Sequence, residues 1–261
     1  MELIRYCKTK SMVLSVGLAL LTTVLGYVTL ASRFFLLISE EGGVEAGIYS
    51  VQALTVHAAT SSLALFLSIS VVISTTSFFK YRFYYNTYGV IRNRFKLFVA
   101  DVMVFGVLAF AAAILIMFFS YLFFNSRDGS WVFLSTEDSL AFGFLFVFCR
   151  ILFSLIFAFM LTHLFRRVST VLVSGIILQL FQSAVSIVAD GYIEESYTDN
   201  GAPQVFQGIV TCILAPSQAM LNYACEGLHG MNSVMILATT SIPFVIIFIV
   251  AALVAGRRIE V

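Results

Sequence analysis

One cation stands where cations are rare: Arg150 lies near the middle of an apolar run from Leu140 to Leu164. A charge at that depth is costly unless it faces protein or water. Two roles stay open for it: capping backbone carbonyls within a helix bundle, or taking part in substrate passage or gating. A second series, His57, Ser61, Ala64, Ser68 and Thr75, falls along one side of a helix drawn through residues 54–79 and offers a small, polar face suited to lining a path. The motifs of common catalytic sites are missing. His57, His163 and His229 are far apart in the chain, and it contains no H-E-x-x-H, G-x-S-x-G or G-x-x-x-x-G-K-[ST] sequence. No catalytic residue, metal site or bound cofactor is therefore expected. Ion-coupled carriers keep carboxylates inside the membrane. Here the one acid within an apolar run, Asp101, lies a turn from the run's end and reads as an interfacial residue neutralised by Arg94 and Lys96.

These residues must be positioned by elements whose solvent is lipid. Of the 261 residues, 60% are hydrophobic and 11% charged, with a mean hydropathy of +0.99, whereas soluble domains are roughly half apolar and about a quarter charged. Runs long enough to cross a bilayer, roughly 20 residues each, recur at Met12 to Phe35, Leu54 to Phe79, Leu97 to Phe124, Leu140 to Leu164, Thr170 to Ala189 and Val234 to Ala255. Their hydrophobicity is continuous rather than alternating, which points to helices and away from a barrel. The first run is too long for a signal-peptide core and lacks a small-residue cleavage site, so it reads as a retained helix. The expected fold is all-α and integral to the membrane: six transmembrane helices in one domain over residues 1–261. The absence of an internal repeat weighs against secondary transporters, many of which are built from duplicated halves.

Lys and Arg in short loops stay on the cytoplasmic side. Arg5, Lys8 and Lys10 precede the first span; Lys80, Arg82, Arg92, Arg94 and Lys96 follow the second; Arg166 and Arg167 follow the fourth; Arg257 and Arg258 follow the last. The opposite loops hold only Arg33 and Arg127, but many acids, among them Glu40, Glu41, Glu45, Asp128, Glu194 and Glu195. Both termini are thus expected in the cytoplasm. The formal net charge of +1 averages a basic inner face with an acidic outer one; no nucleic-acid partner is expected. Cys212 and Cys225 share the long outer connection, Asp190 to Asn232, where an oxidised pair and two reduced thiols both remain open. Within it, Gln204 to Asn222 is apolar but too short to span and is interrupted by Pro216, which removes a backbone donor. Two short re-entrant helices are the favoured reading, and an amphipathic lid is the alternative.

Small residues at steps of three and four let membrane helices approach closely. The first span carries such a stripe in Ser15, Ala19, Thr22, Gly26 and Thr29, and the fifth carries Gly175, Gln179, Gln182, Ser183 and Ser186. The polar fifth-span stripe is costly if turned to lipid, so it is expected to face a subunit interface or a cavity; packing within one chain remains open for both stripes. Phenylalanine, 27 residues in all, is dense in the third and fourth spans. Most of these rings are expected to meet lipid and neighbouring helices, and Phe146, Phe153 and Phe157 share a face that suits a greasy vestibule.

The inner connection, Lys80 to Lys96, reads KYRFYYNTYGVIRNRFK. Its mixture of rings and bases, with Tyr84, Tyr85 and Tyr88 among them, fits an amphipathic helix lying in the interface. Gly89, Val90, Ile91, Arg92 and Asn93 also resemble the glycine-threonine-isoleucine-arginine-asparagine motif found between the second and third spans of ABC type-2 permeases, with Val90 in place of the threonine. The layout is similar along the whole chain, including the proline-broken apolar pair before the sixth span and the basic tail after it. The resemblance implies that Tyr84, Tyr85, Tyr88, Gly89, Ile91, Arg92, Asn93 and Arg94 form a coupling helix seated on a cytoplasmic ABC ATPase. ATP and Mg would then be held by that partner subunit alone. It further implies a dimer with a second copy or a homologous permease, packed through the first and fifth spans, in a bacterial plasma membrane. The expected function is ATP-driven export of a hydrophobic or amphipathic cargo, with a peptide or toxin as first guess. The alternatives are drug or lipid efflux, and a membrane scaffold or sensor subunit without a transport path.

Overall fold

The structure is a computed structural model; it describes residues 44–80, 94–128, 140–165, 167–177, 202–216 and 232–257, together with Gly17, Leu18, Leu21, Val24, Leu180, Phe181, Ala184 and Ala219. The helices are α1 (Val44–Lys80), α2 (Arg94–Asp128), α3 (Leu140–Phe165), α4 (Val168–Ile177), α5 (Ala202–Leu214) and α6 (Ser233–Arg257), and no strand occurs among the described residues. Four stretches are long and apolar enough to cross a membrane: Ala59–Phe79, Lys96–Leu122, Gly143–Phe165 and Val234–Val254. They fall on the second, third, fourth and sixth expected spans. The first and most of the fifth lie outside the described residues.

Helix and span differ in length for a physical reason. With 37 residues α1 is about 55 Å long, well beyond the hydrocarbon thickness of about 30 Å. Hydropathy marks the part that lipid must solvate, whereas backbone hydrogen bonds carry the helix on into polar residues. Thus α1 begins at Val44, ten residues before the expected start at Leu54, and Glu45, expected in a loop, is helical. Similarly, Arg94, assigned from the sequence to the inner connection, is the first residue of α2.

Local signals set the other boundaries. Asn232 caps α6: its Oδ1 accepts the Met235 N–H at 2.9 Å. Helix α5 ends at Leu214, Ala215 forms a bend, and Ala219 N–H then donates to Ala215 O at 2.9 Å. The break expected at Pro216 is therefore present, since proline cannot extend α5 by donating a hydrogen bond one turn back.

Helix α3 is the centre of the bundle, and its Phe146, Val147, Ile151 and Leu155 are fully buried. Ring contacts define how its neighbours run. Phe79 and His163, near the ends of α1 and α3, meet at 4.9 Å, so these two helices are parallel. Phe110 of α2 meets Phe144 at 5.4 Å, while Phe105 meets Phe159 at 5.3 Å, which makes α2 antiparallel to α3. Phe153 packs on Phe244 at 4.6 Å and Phe146 clusters with Ile236, so α6 is parallel to α3. The basic ends at Lys80, Arg94 and Arg257, together with Arg167 just after α3, consequently gather at one end of the bundle, with Glu45 and Asp128 at the other.

Outward faces are apolar. Met103, Val107, Phe110, Ile114, Phe118 and Leu122 recur at steps of three and four along α2, and all are exposed. Isolated in water such a stripe would drive association; against lipid tails it is at home. Hydroxyls within the helices mostly donate back to their own carbonyls, as Thr162 does to Ala158 O at 2.7 Å and Thr240 to Ile236 O at 2.6 Å.

Asp101 keeps its place near the basic end of α2 and is enclosed there. It is 2% exposed, because Phe98, one turn earlier, packs on both Phe159 and Phe248 and draws that end of α2 into the bundle.

A cavity around a buried arginine

Helices α1, α3 and α4 diverge enough to leave a cavity of about 280 Å³ between them, close to the lower end of small-ligand pockets, roughly 300–1,000 Å³. Ala64 and Ser68 of α1, Arg150, Phe153, Ser154 and Phe157 of α3, and Gly175 of α4 are among its lining residues. Helix α4 turns back along α3 immediately after Arg167, placing Val171 in contact with Val72, Ala158 and Leu161. That packing closes the inner part of the cavity, while Leu65 and Ile176, both exposed, stand at its rim.

Arg150 is the polar centre. It is 5% exposed, and ten residues, about 15 Å, separate it from the start of α3, half of a bilayer core of about 30 Å. Its Nη1 donates to Ser154 Oγ at 3.0 Å, and Ser154 Oγ donates in turn to the Arg150 carbonyl at 3.1 Å. The buried Nε–H of Arg150 has no hydrogen-bond partner among the described residues. Only three carboxylates occur among the described residues, Glu45, Asp101 and Asp128. Phe98 and Phe105, on either side of Asp101, both pack on Phe159, so Asp101 lies near the level of Phe159, nine residues or about 13 Å along α3 from Arg150. Glu45 and Asp128 are at helix ends. Among the described residues the lining contains no acid.

Two members of the expected path, Ser68 and Arg150, thus share one cavity. Ser61, two turns earlier on α1, is half-buried and does not line it; for His57 the structure places the backbone in α1. The expected vestibule face divides. Phe153 and Phe157 line the cavity, but Phe146 is fully buried in a separate cluster with Cys212, Ala219 and Ile236. At the level of Phe146 the face of α3 is covered by α5 and α6, and only further along does it turn to α1 and α4. Ser154 was legible as a partner through its i, i+4 spacing from Arg150, yet it escaped the sequence reading.

Gly175, expected from the sequence to face a subunit interface or a cavity, lines the cavity and has no atom within 4 Å of where a Cβ would stand. None of the described helices closes on it. Gly175→Ala is accordingly expected to keep or raise the unfolding temperature, the gain reaching about 1 kcal/mol from helix propensity. A lowered unfolding temperature would show that a neighbouring copy packs against this glycine.

Of the other assigned residues, Tyr84, Tyr85, Tyr88, Gly89, Ile91, Arg92 and Asn93, then Ser15, Ala19, Thr22 and Gly26, and finally Gln179, Gln182, Ser186 and Cys225 lie outside the described residues. Cys212 is a buried free thiol, hydrogen-bonded with the Thr239 side chain. His163 is a core residue whose Nδ1–H donates to Phe159 O at 3.0 Å and whose ring packs on Phe79 and Phe159. No group of three or more potential metal ligands occurs among the described residues. No family model, curated protein or solved structure matches the chain.

Proposed function

We infer that this chain is the membrane subunit of an ATP-driven exporter, moving a hydrophobic or amphipathic cargo out of a bacterial cell through the plasma membrane. The reading takes six spans with both termini cytoplasmic, an ATPase docked on the connection between the second and third spans, and a second permease subunit packed through the first and fifth. The similarity of Gly89 to Asn93 to the ABC type-2 motif supports the docking site. A peptide or toxin is the first cargo class by that resemblance, with drug or lipid efflux as the alternative.

The observation that carries the reading is the cavity and its relation to the inner connection. Residues 81–93 join the end of α1 to the start of α2. Helix α1 supplies Ala64, Ser68 and Val72 to one wall of the cavity, and Arg150 stands on the helix against which both α1 and α2 pack. A displacement applied to that connection would therefore be delivered through one rigid helix to the cavity wall. A scaffold subunit needs no such space, and its polar groups are expected to satisfy one another; the orphaned Nε of Arg150 favours a path over a scaffold.

The test uses the chain purified with its cognate ATPase. Arg92→Glu and Asn93→Ala are expected to lower ATP turnover of the complex by weakening the seat of the ATPase. Unchanged assembly and unchanged turnover in both variants would defeat the assignment.

A further inference from the structure

The geometry points to a specific ligand class for the cavity between α1, α3 and α4: a single-chain amphiphile with an anionic head, a carboxylate or a phosphate monoester, held by Arg150. Three features converge. Arg150 is 5% exposed, and among the described residues its guanidinium has one hydrogen bond to a side chain and a buried Nε–H without a partner. A planar fork with free donors in an apolar enclosure is matched by two acceptor oxygens carrying negative charge. The walls supplied by Ile69, Phe153, Phe157 and Leu172 suit an alkyl chain, and the exposed rim residues Leu65 and Ile176 leave it a way to the lipid-facing surface. Among the described residues the lining holds no acid, so none of them would balance an ammonium head beside Arg150. The site is built against cationic amphiphiles as well as for anionic ones.

The exporter reading decides only the ligand's fate, as cargo; binding is read from this chain alone. The two are separated by using different readouts. The full chain is reconstituted in phosphatidylcholine nanodiscs and its thermal unfolding followed with added decanoate, decyl phosphate, decanol, decyltrimethylammonium or inorganic phosphate. Decanoate and decyl phosphate are expected to raise the midpoint, by about 3–5 °C for each tenfold rise in concentration above the dissociation constant. The other three are expected to leave it unchanged. Arg150→Met abolishes the shift, and Gly175→Leu, which adds bulk at the cavity wall while keeping the guanidinium, abolishes it too.

An equal response to decanol, or a response to decanoate retained in both variants, would overturn the proposal. So would a response confined to phosphatidylglycerol added to the nanodiscs, which would make the occupant a two-chain lipid. Anion-dependent stabilisation without any change in ATP turnover of the assembled complex sinks the exporter reading and leaves the site standing. An absent shift beside intact Arg92-dependent turnover does the reverse.

Discussion

Replacing Arg150 with Met makes this protein more stable, by about 1–2 kcal/mol in thermal unfolding of the membrane-embedded chain. Most core substitutions do the opposite. The sign follows from the accounting of donors around the guanidinium. Its buried Nε–H has no partner among the described residues, a state that costs about 1–3 kcal/mol for each orphaned group. The charge itself is held in a mostly apolar enclosure with no carboxylate among the described lining residues, and apolar replacement of buried charges is often neutral or stabilising. Against this stands the loss of one charge-assisted bond to Ser154 at 3.0 Å. Ser154 is not stranded by the change, because its hydroxyl still donates to the carbonyl of residue 150 at 3.1 Å. The unbranched thioether of Met preserves much of the stem's packing. A large fall in stability would instead assign the arginine to the bundle's own architecture, the capping role that the sequence left open. A gain in stability together with loss of export would mark Arg150 as a residue retained for function at a cost to the fold.

Phe159→Ala is expected to produce the largest loss, about 2–4 kcal/mol. Phe159 is 1% exposed and joins two helices: its ring meets Phe98 at 6.2 Å and Phe105 at 5.3 Å on α2, and His163 at 4.1 Å on its own helix. In water Phe→Ala costs about 3–5 kcal/mol, part transfer and part void. Where lipid tails are the alternative surroundings the transfer part is muted, which places the loss in the lower half of that range or slightly below it. Phe118→Ala is the matched control. Phe118 is 53% exposed on the outer face of α2, and its removal is expected to change stability by no more than about 0.5 kcal/mol. Equal losses at the two sites would mean that Phe118 is covered by another subunit rather than by lipid.

Much of the architecture was legible before any coordinates. The four apolar helices that the structure describes lie where hydropathy put them, because solvation by lipid is a requirement on each segment separately and needs no knowledge of its neighbours. The break before Pro216 was likewise local, a consequence of one missing N–H. The mid-span position of Arg150 and its rarity could be read from the chain alone.

Partnerships could not. Ser68 and Arg150 are 82 positions apart in the chain and meet only because α1 runs parallel to α3 in register with it. Phe146 shares a helical face with Phe153 and Phe157 but is taken into another cluster, since different helices cover that face at different depths. The sequence put Asp101 near the basic end of its helix, but its enclosure there follows from the packing of Phe98 on Phe159 and Phe248. Gly175 reads from its stripe as facing a subunit interface or a cavity, and only the packing of α1, α3 and α4 puts it on the cavity around Arg150. Helix formation and lipid solvation are settled segment by segment, so sequence determined the elements of this protein. Which side of each element is covered, and by what, depends on crossing geometry between distant segments; that was decided only in the tertiary structure, and with it the cavity that surrounds the arginine.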